Sequence, residues 1–509
     1  MQPTKPKPRM LAVLAAASLF LTPHLNATVL FPFPVNPKPN QSGGGGGVAF
    51  DGVNYLAATM SGGKVGAQLF SSSGAMIGSF ITVDSSSTFP PALAVAFGRG
   101  VYLEVWSDNA APSNIGGGNQ INIFGQLIAP SGKKIGSSFH LLISGTGYTS
   151  QKICAVKASG VNFLVVFQDP STRFIYGQLV TASGALSGPA FLISDQPDNG
   201  NGAAVDFDGS NYLVVWQSNN GSTGNVNKTY GEFVSINGSA GNPFQISETT
   251  SLDQNPLAVT YDGAHYLVVW DKDTQLQTEG APADWTLYGR LLSPNGDFLG
   301  DEKVLAAGSD NQAFPSLAFD GVNYLLVWTS YTNLLSSNHP LRAQFFDTSA
   351  NPTGPEFATL PAMGTNQPLP VFNGLIYANG EFLLVGGYGA FKGTASGDIT
   401  NVVNVRGWGV FIPPTLTPPR IDNQPSSAAI LEGTTATLAV YAEGSALNYQ
   451  WFKNRAKLAG SARISGVNSA TLTISNTALA DAGSYFVVAS NLFGAATSST
   501  AVLKVETAV

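Results

Sequence analysis

The chain is poor in the residues that most small-site chemistry needs. Of its 509 residues one is cysteine, four are histidine and only 11% carry charge. A lone cysteine, Cys154, excludes an intrachain disulfide and reads as a small buried apolar residue. No run of basic residues occurs beyond Arg9, and the net charge is −7, so a nucleic-acid partner is not expected. Apolar stretches of membrane-spanning length, about 20 residues, are also missing. H-E-x-x-H, G-x-S-x-G and Gly-rich phosphate loops do not occur.

What is present is 44% hydrophobic residues and 57 glycines, a composition suited to β-strands joined by tight turns rather than to disorder. The length calls for more than one core. Residues 1–27 read as an export signal. Lys5, Lys7 and Arg9 precede an apolar stretch from Met10 to Leu21, and Leu25-Asn26-Ala27 offers a cleavage site. An uncleaved anchor is the alternative reading of that stretch.

Self-similarity organises most of the remaining chain. The segment FDGSNYLVVW, Phe207 to Trp216, has relatives in FDGVNYL from Phe50, FGRGVYLEVW from Phe97, VNFLVVF from Val161, YDGAHYLVVW from Tyr261, FDGVNYLLVW from Phe319 and YANGEFLLV from Tyr377. Their shared aromatics are Tyr55, Tyr102, Phe163, Tyr212, Tyr266, Tyr324 and Phe382, at intervals of 47, 61, 49, 54, 58 and 58 residues. Each copy predicts a strand, an Asp-Gly type hairpin turn, a second strand apolar on both faces, a third strand such as Tyr288 to Leu292, and a fourth such as Phe191 to Ser194. A strand without a polar face must be covered on both sides. Four short antiparallel strands per repeat is the blade plan of a β-propeller. The seventh copy lacks a fourth strand, and the segment 29–36 ahead of the first copy is expected to supply it. Its prolines suit an edge strand.

The expected fold is therefore all-β: a seven-bladed β-propeller over 28–412, a Pro-rich linker over 413–419 and an immunoglobulin-like β-sandwich over 420–507. The last resemblance rests on Thr471-Leu472-Thr473-Ile474, on Asp481-Ala482-Gly483-x-Tyr485 and on Asn491-x-x-Gly494, which resemble an I-set immunoglobulin domain. Val440 and Val487 stand where that family has its disulfide cysteines, with Trp451 and Tyr485 at the spacing of the core tryptophan and the tyrosine corner. Residues 28–412 resemble secreted bacterial propeller proteins with FDGxNYLVVW repeats. That resemblance implies export and fold, not chemistry.

Candidate site residues are indicated by length variation. The second-to-third-strand connections differ from copy to copy while the hairpins at the other edge stay short, and such variable loops on a rigid scaffold commonly bind. Asp108, Asp169, Asp271 and Asp273 come just after second strands. Trp285, Tyr331 and Tyr388 are expected as loop aromatics. Carboxylates beside aromatic rings suit sugars, though such Asp residues also cap turns and such rings also pack loops. Gln151, Gln254 and Gln312 recur nine residues before a turn glycine and read either as a polar ring at a channel mouth or as partners for backbone groups. No cofactor is implied, and calcium is the one ion the loop Asp and Asn residues leave open, without a D-x-D-x-D-G spacing. The expected role is a non-enzymatic binding or adhesion protein, secreted, periplasmic or cell-surface, monomeric, with an extracellular glycan or protein as partner. The alternative is a glycoside hydrolase-like enzyme, which needs two carboxylates about 5–10 Å apart.

Overall fold

The computed structural model describes residues 33–34, 45–61, 64–85, 93–108, 122–143, 155–169, 172–195, 198–218, 227–248, 252–253, 257–273, 285–331, 340–359, 370–391, 402–412, 414, 418–444, 447–491 and 494–507. The expected export signal, most of the segment 29–36 and Cys154 lie outside them. The chain is all-β and divides into a unit spanning Val29–Leu416 and one containing Thr417–Val509.

In the first unit the described residues form seven antiparallel sheets, each a meander of four strands, the fifth sheet having one additional short strand. The fourth sheet shows the plan: Asp198–Phe207, Asn211–Ser218, Lys228–Ser235 and Phe244–Gln245. In the seventh sheet the outer strand comes from elsewhere in the chain. Phe33 and Pro34 pair with Gly409 and Trp408, next to Pro370–Ala378, Glu381–Phe391 and Val402–Ile412.

The repeated motif accounts for this geometry residue by residue. In FDGxN the Asp side chain accepts two backbone N–H groups of its own turn. Asp51 Oδ1 takes those of Val53 at 2.8 Å and Asn54 at 2.7 Å, and Asp320 Oδ1 takes Val322 and Asn323 at 2.7 and 2.6 Å. The next residue, glycine, adopts φ near +100°, as in Gly52 (100°), Gly209 (99°), Gly263 (99°) and Gly321 (97°), a region a side chain would oppose. The Tyr that begins the next strand reaches the neighbouring sheet. Tyr102 Oη donates to the Asn54 carbonyl at 3.0 Å, Tyr212 to Asn162 at 3.4 Å and Tyr266 to Asn211 at 3.1 Å.

The second strands are buried on both faces, as their lack of polar alternation demands. Tyr212, Val214 and Trp216 pack with the third sheet through Leu164, Val166 and Leu179. Leu213 and Val215, from the same strand, pack with the fifth sheet through Tyr266, Val268 and Trp270. Each fully buried side chain of this size contributes about 1.5–3 kcal/mol. The first strand of each sheet lies beside the first strand of the next, and that of the seventh beside that of the first. At this last junction Tyr55 and Ala57 pack on Leu383 and Val385, and Tyr55 Oη donates to the Ala378 carbonyl at 2.8 Å, a staple of the same kind as those of Tyr102, Tyr212 and Tyr266. Glycine is required there: a Cβ on Gly374 would stand 3.0 Å from the Gly46 carbonyl oxygen and 3.1 Å from the Val48 nitrogen.

One second strand breaks the pattern. Glu104 occupies the position that is valine in the fourth and fifth sheets, opposite Val95 and Gln126, and is 0% exposed. The core around it, between the first and second sheets, is built from Ala58, Ala67, Leu69, Tyr102 and Trp106. Gln126 spends its amide on the carbonyls of Leu127 and Ile135 at 2.9 and 3.0 Å, and neither Glu104 oxygen has a hydrogen-bond partner. Burial therefore pushes the Glu104 carboxyl up to about 8.

The second unit is an immunoglobulin-like sandwich. One sheet is led by Gly483–Asn491 paired with Asn448–Lys453 and Ala501–Glu506, and another joins Ala436–Ala439 to Thr471–Ile474. Val440 and Val487 both lie in the core with Trp451, Leu472 and Tyr485. Trp451 Nε1 donates to Ser469 O at 2.9 Å, and Tyr485 Oη donates to Asp481 O at 2.7 Å.

These contacts set two expected outcomes. Tyr55→Phe is expected to cost about 1 kcal/mol in thermal unfolding, as Tyr212→Phe does at an internal junction. Gly374→Val should cost about 1–3 kcal/mol because backbone cannot retreat. A silent Tyr55→Phe beside a costly Tyr212→Phe would mean that the seventh sheet does not bear on the first. Glu104 sets a pH dependence of known sign. Its folded value lies above the unfolded one, so the folded state holds the extra proton and stability falls as pH rises from about 4.5 to about 8, by up to about 1.4 kcal/mol per unit. Glu104→Gln should remove that slope, so the unfolding temperature of the variant pulls ahead of the native protein towards about pH 8. Parallel curves would refute a buried neutral Glu104.

Candidate functional site: the loop-side corner of the fifth and sixth sheets

Five of the residues singled out from sequence, Asp271, Asp273, Trp285, Gln312 and Tyr331, come from two adjacent sheets. In the fifth sheet, Tyr266–Asp273 and Trp285–Leu292 keep pairing beyond the repeat's tryptophan, through Asp271 opposite Leu287 and Asp273 opposite Trp285. In the sixth, Asn311–Phe319 and Tyr324–Tyr331 extend likewise, through Gln312 opposite Ser330 and Asn311 opposite Tyr331. The extended ladders bring a tryptophan and a tyrosine together. The Trp285 and Tyr331 rings stand 6.0 Å apart at 85°.

Backbone and side chains hold this corner. The Trp285 N–H donates to Asn311 Oδ1 at 3.0 Å, tying the end of one hairpin to the neighbouring sheet. Trp285 is half-buried, and its indole N–H has no hydrogen-bond partner. Burial and the nearby Asp271 carboxylate push the Tyr331 phenol far above its ordinary value, so it stays a neutral donor. Gln312 Oε1 accepts from Trp328 Nε1, and its Nε2 donates to Asp310 O at 2.7 Å. Gln312 thus partners a buried indole and backbone.

Asp271 and Tyr331, expected on rim loops, instead sit within strands and are buried, at 0% and 3% exposure. Polar residues after the tryptophan resembled loop, but the ladder continues through them and carries their side chains between sheets. Asp169 opens a tight turn: its N–H donates to Phe174 O at 3.0 Å and its carbonyl accepts from Arg173 at 2.7 Å. Asp108 ends a second strand opposite Asn122, and Tyr388 pairs with Pro370 and Arg406. The side chains of Asp108, Asp273 and Tyr388, and all of Gln151 and Gln254, lie outside the described residues.

Several buried charges escaped the sequence reading. Lys272 pairs with Glu302 at 3.3 Å and lies 4.5 Å over the Tyr288 ring, behind the corner. Asp206 pairs with Lys157 of the third sheet and accepts the Tyr261 N–H of the fifth at 2.8 Å, bridging three successive first strands. Glu232 stands in the third-strand register filled elsewhere by Gln68, Gln126, Gln178 and Gln344, and burial, with Asp195 nearby, pushes it up to about 7. The signal for Glu104 and Glu232 was present in the sequence, because each is an acid at a position that the repeat makes aliphatic or amide. Among the described residues no cluster of acids, histidines or cysteines could hold a metal ion, and no helix is long and apolar enough to cross a membrane.

Comparison with known proteins bears on the second unit. Residues 419–505 match the immunoglobulin I-set domain. No curated protein matches the chain. Solved structures similar to it include a chimeric titin Z1Z2 carrying an exogenous decorin peptide, 31% identical, covering 18% of this chain and 99% of that one with a TM-score of 0.17. The titin M3 domain is 27% identical, covering 18% and 99% with a TM-score of 0.17. The Ig-like domain of human leucine-rich repeat-containing protein 4 is 27% identical, covering 18% and 88% with a TM-score of 0.16. The part of this chain at residues 419–505 is thus an I-set immunoglobulin domain.

Proposed function

We propose that residues 28–412 form a closed seven-bladed β-propeller acting as the recognition platform of an exported, non-enzymatic binding or adhesion protein, with the I-set domain as spacer or docking module. The closed reading is supported by the Tyr55 staple to Ala378 and by Phe33 and Pro34 on the strand of Gly409 and Trp408. In a meander of this kind the second-to-third-strand connections leave one edge of every sheet, and the two short hairpins leave the other. The observation that carries the binding reading is the corner at the first of these edges, where the half-buried Trp285 meets Tyr331. An aromatic wall of this kind suits the apolar face of a sugar or a side chain of a protein partner. The hydrolase alternative draws no support from Asp271, whose carboxylate is buried.

A glycan array, paired with a hydrolysis assay on whatever is retained, tests this reading. Retention without turnover is expected, weakened about tenfold or more by Trp285→Ala at unchanged unfolding temperature. Turnover of the retained glycan, or retention indifferent to Trp285→Ala, would defeat it.

A further inference from the structure

The opposite edge of the sheets carries a second feature, at the junction of the fourth and fifth sheets. A cleft of about 450 Å³ opens between the hairpin of the fifth sheet and the outer strands of the fourth, lined by Phe233, Phe244, Gln245, Asn242, Asn295 and Phe298 among others. Phe233 and Phe244 lie 5.8 Å apart at 16°, and Phe298 stands 6.5 Å from Phe244 at 55°. Phe298 is 41% exposed.

The internal repeat tells which of these rings packing requires. The hairpin position of Phe298, bridged to Leu292, is Leu186 in the third sheet, Ala240 in the fourth and Pro352 in the sixth. The third-strand position of Phe233, opposite the second strand's Leu213, is Leu179 in the third sheet and Leu291 in the fifth. The fourth-strand position of Phe244, opposite Gly231, is phenylalanine also in the second, third and sixth sheets, as Phe139, Phe191 and Phe357, and lysine in the fifth, as Lys303. The stacked Phe233–Phe244 pair recurs as Phe345–Phe357 in the sixth sheet and belongs to the packing of the repeat, whereas Phe298 stands where leucine, alanine or proline serves elsewhere. At the neighbouring junctions the same three positions are Leu179, Phe191 and Ala240, or Leu291, Lys303 and Pro352. The three phenylalanines meet at the fourth-to-fifth junction, and there a cleft remains between them.

The exposed ring is also held in place. The Arg290 guanidinium lies 3.8 Å over Phe298, while its Nε donates to Gly300 O at 3.1 Å and its Nη1 to Ile246 O at 2.9 Å. This cation is used in fixing the hairpin, and no charged side chain lines the cleft. The polar groups on the lining are amides. Gln245 Nε2 donates to Ser247 O at 2.6 Å, which leaves its carbonyl oxygen to accept, and the exposed Asn242 and Asn295 can each donate and accept.

We propose that this cleft is a binding site for a neutral sugar ring. A pyranose has an apolar face for the rings and adjacent hydroxyls that both give and take hydrogen bonds, which matches amides better than carboxylates or cations. An anion would lack an available cation here, and a cation would lack a carboxylate. The site goes beyond the loop-side corner and lies at the other edge of the sheets.

Native affinity electrophoresis of the full chain in gels containing a neutral β-glucan, β-mannan, β-xylan or β-galactan tests it. Retardation by at least one polymer is expected, weakened about tenfold or more by Phe298→Ala and largely retained in Phe298→Tyr, with unfolding temperatures alike. Retardation by none of the four would overturn the proposal. So would retardation that survives Phe298→Ala, or that is lost in Trp285→Ala and not in Phe298→Ala; the last result would leave the loop-side corner as the sugar site. Selection of aromatic peptides by the cleft, sensitive to Phe298→Ala without any polysaccharide response, would overturn the ligand class.

Discussion

A strand with no polar face cannot end a stack of sheets without exposing what its partners bury. Tyr212 to Trp216 gives alternate residues to two different cores, and the second strands of the third and fifth sheets supply the matching faces. An open series would leave an uncovered apolar face at each end, at about 25 cal/mol for every Å² left in water. The packing of Tyr55 and Ala57 on Leu383 and Val385 removes that penalty where the series begins and ends. The other features of the first unit answer to this covering. Small residues such as Gly46 and Gly374 let the first strands approach, and the hydroxyls of Tyr55, Tyr102 and Tyr266 find carbonyls on the adjoining sheet in place of water.

Much of this was legible because the repeat states its needs many times. Asp and Gly mark the same turn in Asp51-Gly52, Asp208-Gly209, Asp262-Gly263 and Asp320-Gly321, and the turns differ only in the residue after glycine and in His265, where the others have asparagine. The immunoglobulin-like unit was legible for a different reason. Trp451 and Tyr485 keep their spacing around Val440 and Val487, so apolar volume takes the place of the bridge. The aromatic anchors still find their carbonyls at Ser469 and Asp481.

The site was less legible, and Asp271 and Tyr331 show why. Sequence assigns a residue to loop or strand by its polarity, whereas a hairpin ladder is held by backbone groups that every residue carries. Two strands can keep pairing through Asp271 and Lys272 as long as their side chains find partners. Lys272 finds Glu302, 30 positions further on at the outer strand of its own sheet, and Trp285 finds Asn311, 26 positions further on in the next sheet. Such partners become neighbours only once the strands and sheets are assembled, so no local pattern announces them. Gln312 is the same case: its spacing was visible, but its partner, the Trp328 indole, is set by packing.

Departures from the repeat then sort by whether the fold compensates them. Arg290 replaces a glutamine and still reaches Ile246 and Gly300, so the change keeps the carbonyl contacts that Gln178 and Gln344 make with Gly188 and Gly354. Glu232 holds the same register with a carboxyl that burial drives towards the neutral form, the only form of an acid that can donate as an amide does. Glu104 is compensated by no hydrogen bond, and its burial is a standing cost above the pH at which a solvated glutamate ionises. Phe298 is a departure of the opposite kind: the hairpin closes equally with leucine, alanine or proline, and the added ring is left facing a cleft. A residue that the other sheets replace by leucine, alanine or proline, and that is nonetheless large, apolar and held at the surface by Arg290, is better explained by what it meets outside the protein than by what it packs against within it.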